Sequence, residues 1–308
     1  MATPKQQYAA ALRDIAKRYG RLDHNAIRQM IDLLQETRKG MAAILLDNPT
    51  DFQSFRLRQL TDSVDVLTAN FQAQLSTGLR DSLTQAQALG IASVNEPLRA
   101  AGVDIAGVFN VLSPAQVNVV NDFSAALVKD IGEDLRKTIN GQLRLSTLAQ
   151  QTPFEAMKNV TKALGIKATD GVWGRRNRPE IVKGVAARAE TIVRTEMTRI
   201  YNLSNHSQQQ TAAEVVPGLL KQWIATPTGN TRDSHLNAHI RYANNPIPVD
   251  EPFEVGGELL MYPGDPAGSP AETINCRCTS ITVVPEIGTI ATPLDKQIAD
   301  EKQRRKDK

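Results

Sequence analysis

Apolar residues Leu57, Leu60, Val64, Leu67 and Phe71 step by three and four, and Leu75, Leu79 and Leu83 continue by fours. That spacing lines one face of a 3.6-residue helix, so it predicts a long amphipathic helix opening near Thr50-Asp51. A second helix is announced by Ser113-Pro114-Ala115-Gln116. There Ser can cap the orphan amides, Pro suits the first helical position and Gln can reach back. Its buried stripe is Val120, Phe123, Leu127, Ile131, Leu135 and Ile139. Two stripes of this length cannot stay in water, so the helices should pack on each other as extended hairpins, joined by shorter elements around Ile91 to Val111.

The same texture runs from Ala2 to about Ala149, with few Pro or Gly and no run of alternating β-branched residues. Thr152-Pro153-Phe154-Glu155 repeats the capping chemistry and predicts a helix to about Leu164. A last long helix is expected over Pro179 to Glu214. Beyond it Pro and Gly become frequent, and short apolar strands are expected at Leu220 to Ala225 and Thr279 to Val284. The fold class is therefore mainly α, with a long N-terminal region of helical hairpins and a small α+β C-terminal domain. Its expected divisions are a helical docking region at 1–165, a basic linker at 166–178, an α+β module at 179–286 and a charged tail at 287–308. The Glu301 to Lys308 end should lack structure.

Composition adjusts this picture in three places. Aromatics are only 5% of residues, so the core must be built from Leu, Ile, Val and Ala. A net charge of +3 is too weak to imply nucleic acid without local clusters. No apolar run is long enough to span a bilayer and Met1 to Gly20 has no signal-peptide centre, so the expectation is a chain made in a host cytoplasm with no membrane contact. The cysteines, Cys276 and Cys278, stand one residue apart. That spacing strains a mutual disulfide and favours a reduced or metal-bound pair.

Candidate chemistry concentrates in the last third. His235 and His239 are four apart, which on a helix puts both imidazoles on one face; an extended Cys276 to Cys278 puts both thiols on one face. Two His and two Cys could close a tetrahedral, structural zinc site. Buried cysteines with surface histidines are the plainer alternative. A metalloprotease is excluded, because Leu236, Asn237 and Ala238 leave no Glu between the histidines. Glu196 lies between Ile192 and Ile200 on an apolar stripe. Buried, it needs a partner, for which Arg232 is the candidate; otherwise it belongs to a partly exposed face.

Two basic clusters could meet phosphates without sequence preference: Arg175, Arg176, Arg178 and Lys183 beside Trp173, and Lys302, Arg304, Arg305, Lys306 and Lys308 in the tail. A solvated charge run is the commoner explanation of such clusters. The Arg/Glu-rich helix and Thr279-Ser280-Ile281-Thr282 faintly suggest an ADP-ribosyltransferase, but no downstream E-x-E pair follows. Phosphate-cradling loops and a G-x-S-x-G elbow are absent from the sequence.

The order Arg194-Thr195-Glu196, Trp223, Thr231-Arg232 with His235, Pro263-Gly264-Asp265-Pro266 and Asn275-Cys276-Arg277-Cys278 resembles the phage Mu protein F-like family of minor head proteins. The resemblance covers about Val182 to Val284. It departs from the pattern at Thr228-Gly229-Asn230, where an acid often precedes the Thr-Arg pair, and at His239-Ile240, where a Gly is expected. The resemblance implies a role in head morphogenesis: a few copies joining the procapsid through portal, scaffold or major capsid protein, staying in the virion near the portal vertex, and in some relatives touching double-stranded DNA. It implies no catalytic residue. The expected module is braced by Arg194, Glu196, Trp223 and Arg232, with binding rather than turnover as its work; an ADP-ribosyltransferase-like enzyme or injected effector is the alternative.

Overall fold

Helices dominate because the apolar steps of three and four run almost unbroken through the first half of the chain. The computed structural model describes residues 2–46, 54–105, 114–148, 153–165, 184–288 and 293–306. The helices are α1 (Pro4–Leu46), α2 (Ser54–Ala100), α3 (Pro114–Leu148), α4 (Pro153–Leu164), α5 (Val185–Ala213), α6 (Asp233–Asn244), α7 (Pro270–Thr273) and α8 (Pro293–Lys306). The strands are β1 (Leu220–Ile224), β2 (Ile247–Pro248), β3 (Phe253–Val255), β4 (Glu258–Leu260) and β5 (Thr279–Val283). This is the mainly α chain with a small α+β C-terminal region that the sequence predicts. One expectation fails: no shorter element opens near Ile91, because α2 continues through Pro97 to Ala100. Pro97 sits so close to the end of α2 that few helical hydrogen bonds remain to be lost beyond it.

The chain forms two compact units, each drawn from separate stretches. One comprises residues 25–80 and 121–193 and is a helix bundle. The expected stripes are its core: Leu60, Val64, Phe71, Leu75 and Leu79 from α2, and Ile131, Leu135 and Ile139 from α3, are buried. Gln72 Nε2 donates to the Lys129 carbonyl at 3.0 Å, and Arg136 lies 3.6 Å from Asp65. The two contacts run in opposite directions along the helices, which makes α2 and α3 antiparallel. A Cβ at Gly132 would collide with Gln72, so the absence of a side chain there sets how closely the pair approach.

The other unit comprises residues 1–24, 81–120 and 194–308. Its sheet has the order β2-β1-β5, with β1 antiparallel to both neighbours and Trp223 opposite Ser280. The separate β3-β4 hairpin turns on Gly256 and Gly257, whose φ values of 63° and 84° are those a two-residue type I′ turn demands. Tyr8 Oη donates to the Thr282 carbonyl at 2.6 Å, fastening the start of α1 to β5. Tyr8 shares its apolar cluster with Val94, Leu98, Ala212, Val249 and Val284. A second cluster gathers Trp223, Leu236, Tyr242, Phe253, Leu260, both cysteines and Ile298.

Ile298 belongs to α8, so the tail expected to lack structure is helical over its described residues. The correction has a simple cause. The sequence shows the charges, but it does not show that Arg305 meets Asp233 at 2.7 Å and Glu301 at 3.0 Å, or that Ile298 is 1% exposed. Once one apolar side chain is buried and the cations are matched, the helix has a docking face.

Candidate functional site

The site is built on the polar face of α5. Thr195, Glu196, Thr198, Asn202, Ser204, Asn205 and Gln209 are all buried there, an unusual load for a helix interior. Buried polar groups persist mostly with partners; each of these side chains has at least one, while the amide oxygens of Asn202, Asn205 and Gln209 accept none. Thr198 Oγ1 donates to the Cys276 carbonyl and Asn202 Nδ2 to the Cys278 carbonyl, both at 2.9 Å. Thr195 Oγ1 accepts from the Asn275 amide at 2.9 Å, and Arg194 donates to Asn275 Oδ1 at 3.1 Å. From the opposite side Arg232 donates to the Ile274 carbonyl at 2.7 Å.

The segment so held turns sharply. Asn275 has φ of 57°, a left-handed backbone that Asn tolerates better than most residues. The side chains at 195, 198 and 202 lie on one stripe of α5 and bond successive residues of the turn, so they fix where Cys276 and Cys278 point.

Both thiols face α6. His235 is 1% exposed; its Nδ1 lies 3.2 Å from Cys278 Sγ and 3.6 Å from Cys276 Sγ. The other ring nitrogen, Nε2, is 2.8 Å from Glu272 Oε2, an oxygen that also accepts from Ser234 Oγ at 2.9 Å. Trp223 packs edge-on to the imidazole, with centroids 5.4 Å apart, and holds Phe253 on its other side at the same distance. The donor atoms of His235, Cys276 and Cys278 lie within 4.8 Å of one another. The Cys278 amide also donates to Cys276 Sγ at 3.4 Å. Hydrogen bonding from Cys278 pulls the Cys276 thiol down, whereas burial pushes that of Cys278 up.

The expected four-residue constellation is thus three-sided. His239, one turn along α6, accepts from the Ala225 amide through Nδ1 at 3.3 Å and meets Asp295 of α8 through Nε2 at 2.8 Å. The shared face expected of the two imidazoles is real, but a helical turn separates them along it, and the thiols sit beside only the first. A second correction concerns Glu196. It is 1% exposed and pairs with Arg199 at 2.8 and 3.0 Å, not with Arg232. The i, i+3 neighbour was nearer than the loop. Burial raises the Glu196 carboxyl above its ordinary range, and Arg199 offsets part of that rise.

Against the sulfurs opens a cavity of about 150 Å³ lined by Thr226, Thr231, Arg232, His235, Asn275, Cys276 and Cys278. A larger, mostly apolar cavity of about 560 Å³ lies between α1, α5 and the sheet, beside Tyr19, Thr198 and Tyr201. Sequence reasoning passed over Glu272 and Asn202, and it noted Arg199 only as part of a charge-rich helix. The four-residue step from Thr198 to Asn202 was a usable signal; nothing in the sequence singled out Glu272.

Of the two basic clusters, Arg175, Arg176, Arg178 and Lys183 lie outside the described residues, as does Trp173. In the tail, Lys302 donates to Asn237 at 2.6 Å and Arg305 is held by Asp233, while Arg304 pairs with Glu301 but stays 70% exposed. Lys306 closes α8.

Residues 135–281 match the family described as Phage Mu protein F like protein. The NAD(+)–arginine ADP-ribosyltransferase EFV of Enterococcus faecalis is 28% identical over 148 residues, which is 46% of this chain and 28% of that protein. The uncharacterized protein YqbB of Bacillus subtilis is 25% identical over 178 residues, 57% of this chain and 51% of its own length. The chain therefore spans about half or less of these relatives. No solved structure matches it.

Proposed function

We propose that the chain, whose residues 135–281 match the family described as Phage Mu protein F like protein, is a minor head protein of a tailed bacteriophage that acts in head morphogenesis at the portal vertex. The family match carries this reading. The geometry supports it: of the polar residues that sequence analysis singled out, Arg194 donates to the Asn275 side chain and Arg232 to the Ile274 carbonyl, both within the protein itself. They brace a module, as a docking protein requires.

The helical hairpins are the surface for portal, scaffold or major capsid protein. DNA contact falls to Arg175, Arg176 and Arg178 with Lys302, Arg304 and Lys306; Arg305, tied to Asp233, contributes least. Such contacts read phosphates and not bases.

The test is to purify heads of the phage or prophage that encodes the chain and count it by quantitative mass spectrometry. A low, fixed number of copies that disappears from heads assembled without portal protein is the expected result; absence from heads overturns the proposal. Retention on duplex DNA should fall steeply between about 50 and 200 mM salt. A salt-independent retention would remove DNA from the partners.

The Enterococcus faecalis relative keeps an enzymatic reading in play. Transfer of label from NAD to an arginine acceptor, abolished by Glu196→Gln, would replace the structural assignment.

A further inference from the structure

The tautomer of His235 decides what the cysteine pair is for. Glu272 Oε2, already accepting from Ser234, lies 2.8 Å from Nε2, so that nitrogen carries the proton and donates it. Nδ1 is then a lone pair, and it is aimed at two sulfurs 3.2 and 3.6 Å away. In a tetrahedral zinc site the edges between sulfur and nitrogen donors are about 3.5 Å, and those between sulfurs somewhat longer. The two nitrogen–sulfur spacings need only a few tenths of an ångström of adjustment.

We propose that His235 Nδ1, Cys276 Sγ and Cys278 Sγ bind a divalent ion of the zinc class, with an exchangeable water in a fourth position that opens to the cavity of about 150 Å³. Imidazole with two thiolates is a soft-to-borderline donor set, which selects zinc over magnesium or calcium. Binding releases both thiol protons to solvent, while His235 keeps its Nε2 proton on Glu272. Glu272 is a positioning residue: it touches the ring and not the ion, in the carboxylate–histidine–metal arrangement that fixes ring orientation. The Cys278 amide, donating to Cys276 Sγ, supports the thiolate.

Preorganisation comes from α5. Thr198 and Asn202 bond the carbonyls of the two cysteines, so the sulfurs are set before any ion arrives. His239 is excluded as a fourth ligand by its bonds to Ala225 and Asp295. The remaining coordination position therefore faces Thr226, Thr231, Arg232 and Asn275. This inference does not depend on the head-protein reading and survives if that reading fails.

The experiment uses the full chain, reduced, stripped with chelator and titrated with Co²⁺ and then Zn²⁺. Stoichiometric uptake is expected, with the thiolate-to-cobalt charge-transfer band and the intense visible bands of a tetrahedral site. Cys278→Ser and His235→Ala should abolish both. Glu272→Gln should weaken affinity about ten- to a hundred-fold while circular dichroism stays unchanged. That variant tests the site even if the cysteine variant does not fold. His239→Asn should keep the spectrum, and added thiocyanate should change it by entering the water position. No uptake by the folded wild type with both thiols free overturns the proposal. A thiocyanate-insensitive spectrum, or one lost in His239→Asn, overturns the open position.

Discussion

Asn202 and Cys278 stand 76 residues apart in sequence, yet the Asn202 amide donates to the Cys278 carbonyl at 2.9 Å and back to its own helix at the Thr198 carbonyl at 3.1 Å. With both amide protons committed, one side chain joins α5 to the cysteine turn. That bond is the last rung of a ladder whose other rungs are Thr195 to Asn275 and Thr198 to Cys276.

Removing the rung should be felt throughout the module. Asn202→Ala leaves the buried Cys278 carbonyl without this donor, and such a loss costs about 1–3 kcal/mol. Urea unfolding followed by circular dichroism measures it. A change below about 0.5 kcal/mol would put Asn202 among inconsequential substitutions and refute the ladder.

Trp223 is 0% exposed and makes edge-on contacts with His235 and Phe253. Trp223→Ala should destabilise by about 3–5 kcal/mol, and Trp223→Phe by clearly less. Equal losses in the two variants would mean that the ring edge contacts, rather than filled volume, carry the effect.

Burial of His206, with Lys221 nearby, lowers its imidazole from 6.5 to about 4. Between those values the unfolded chain binds the proton and the folded chain does not. His206 therefore contributes no pH-dependent loss above pH 6.5, and it withdraws stability as pH falls from 6.5 towards 4. His206→Gln should flatten the stability curve across that window, which melting temperatures at half-unit intervals would register. Parallel curves for the two proteins would refute the assignment.

Lys221 gives the mirror case at high pH. Burial lowers its ammonium from 10.5 to about 8, the nearby carboxylates of Asp250, Asp265 and Glu251 offsetting only part. The unfolded chain holds the extra proton between those values, so stability attributable to Lys221 rises with pH through 8 to 10. Comparison with Lys221→Met isolates it; a difference curve that falls with pH would contradict the sign.

Ile298 is 1% exposed within the cluster that includes Trp223 and Leu236. Ile298→Ala should cost about 2–5 kcal/mol. No change would mean that α8 is not docked in solution, and would restore the expectation of a structureless tail.

The sequence made the helices legible because their stripes are long: Leu60, Val64, Phe71, Leu75, Leu79 and Leu83, with Ile131, Leu135 and Ile139, are buried as the spacing required. Strands β1 and β5 were equally readable, bounded by Pro and Gly. What stayed hidden was pairing at a distance. Arg232 was a reasonable partner for Glu196 on charge alone, but Arg199 reached it first. His239 satisfied the spacing of a ligand, and only the position of Ala225 and Asp295 shows that its nitrogens are already engaged. Glu272 had no neighbour in sequence to mark it, since its importance lies in which ring nitrogen of His235 it engages.

The hydrogen bond from Tyr8 to Thr282 closes a loop of 274 residues. On a ribosome adding about 5–20 residues per second, the beginning of α1 must wait many seconds for its strand to be made. Until then the first helix presents an unmet apolar edge to the cell. The growing polypeptide is thus most vulnerable to misassociation just before the strand that holds Thr282 emerges, and chaperone demand should peak there.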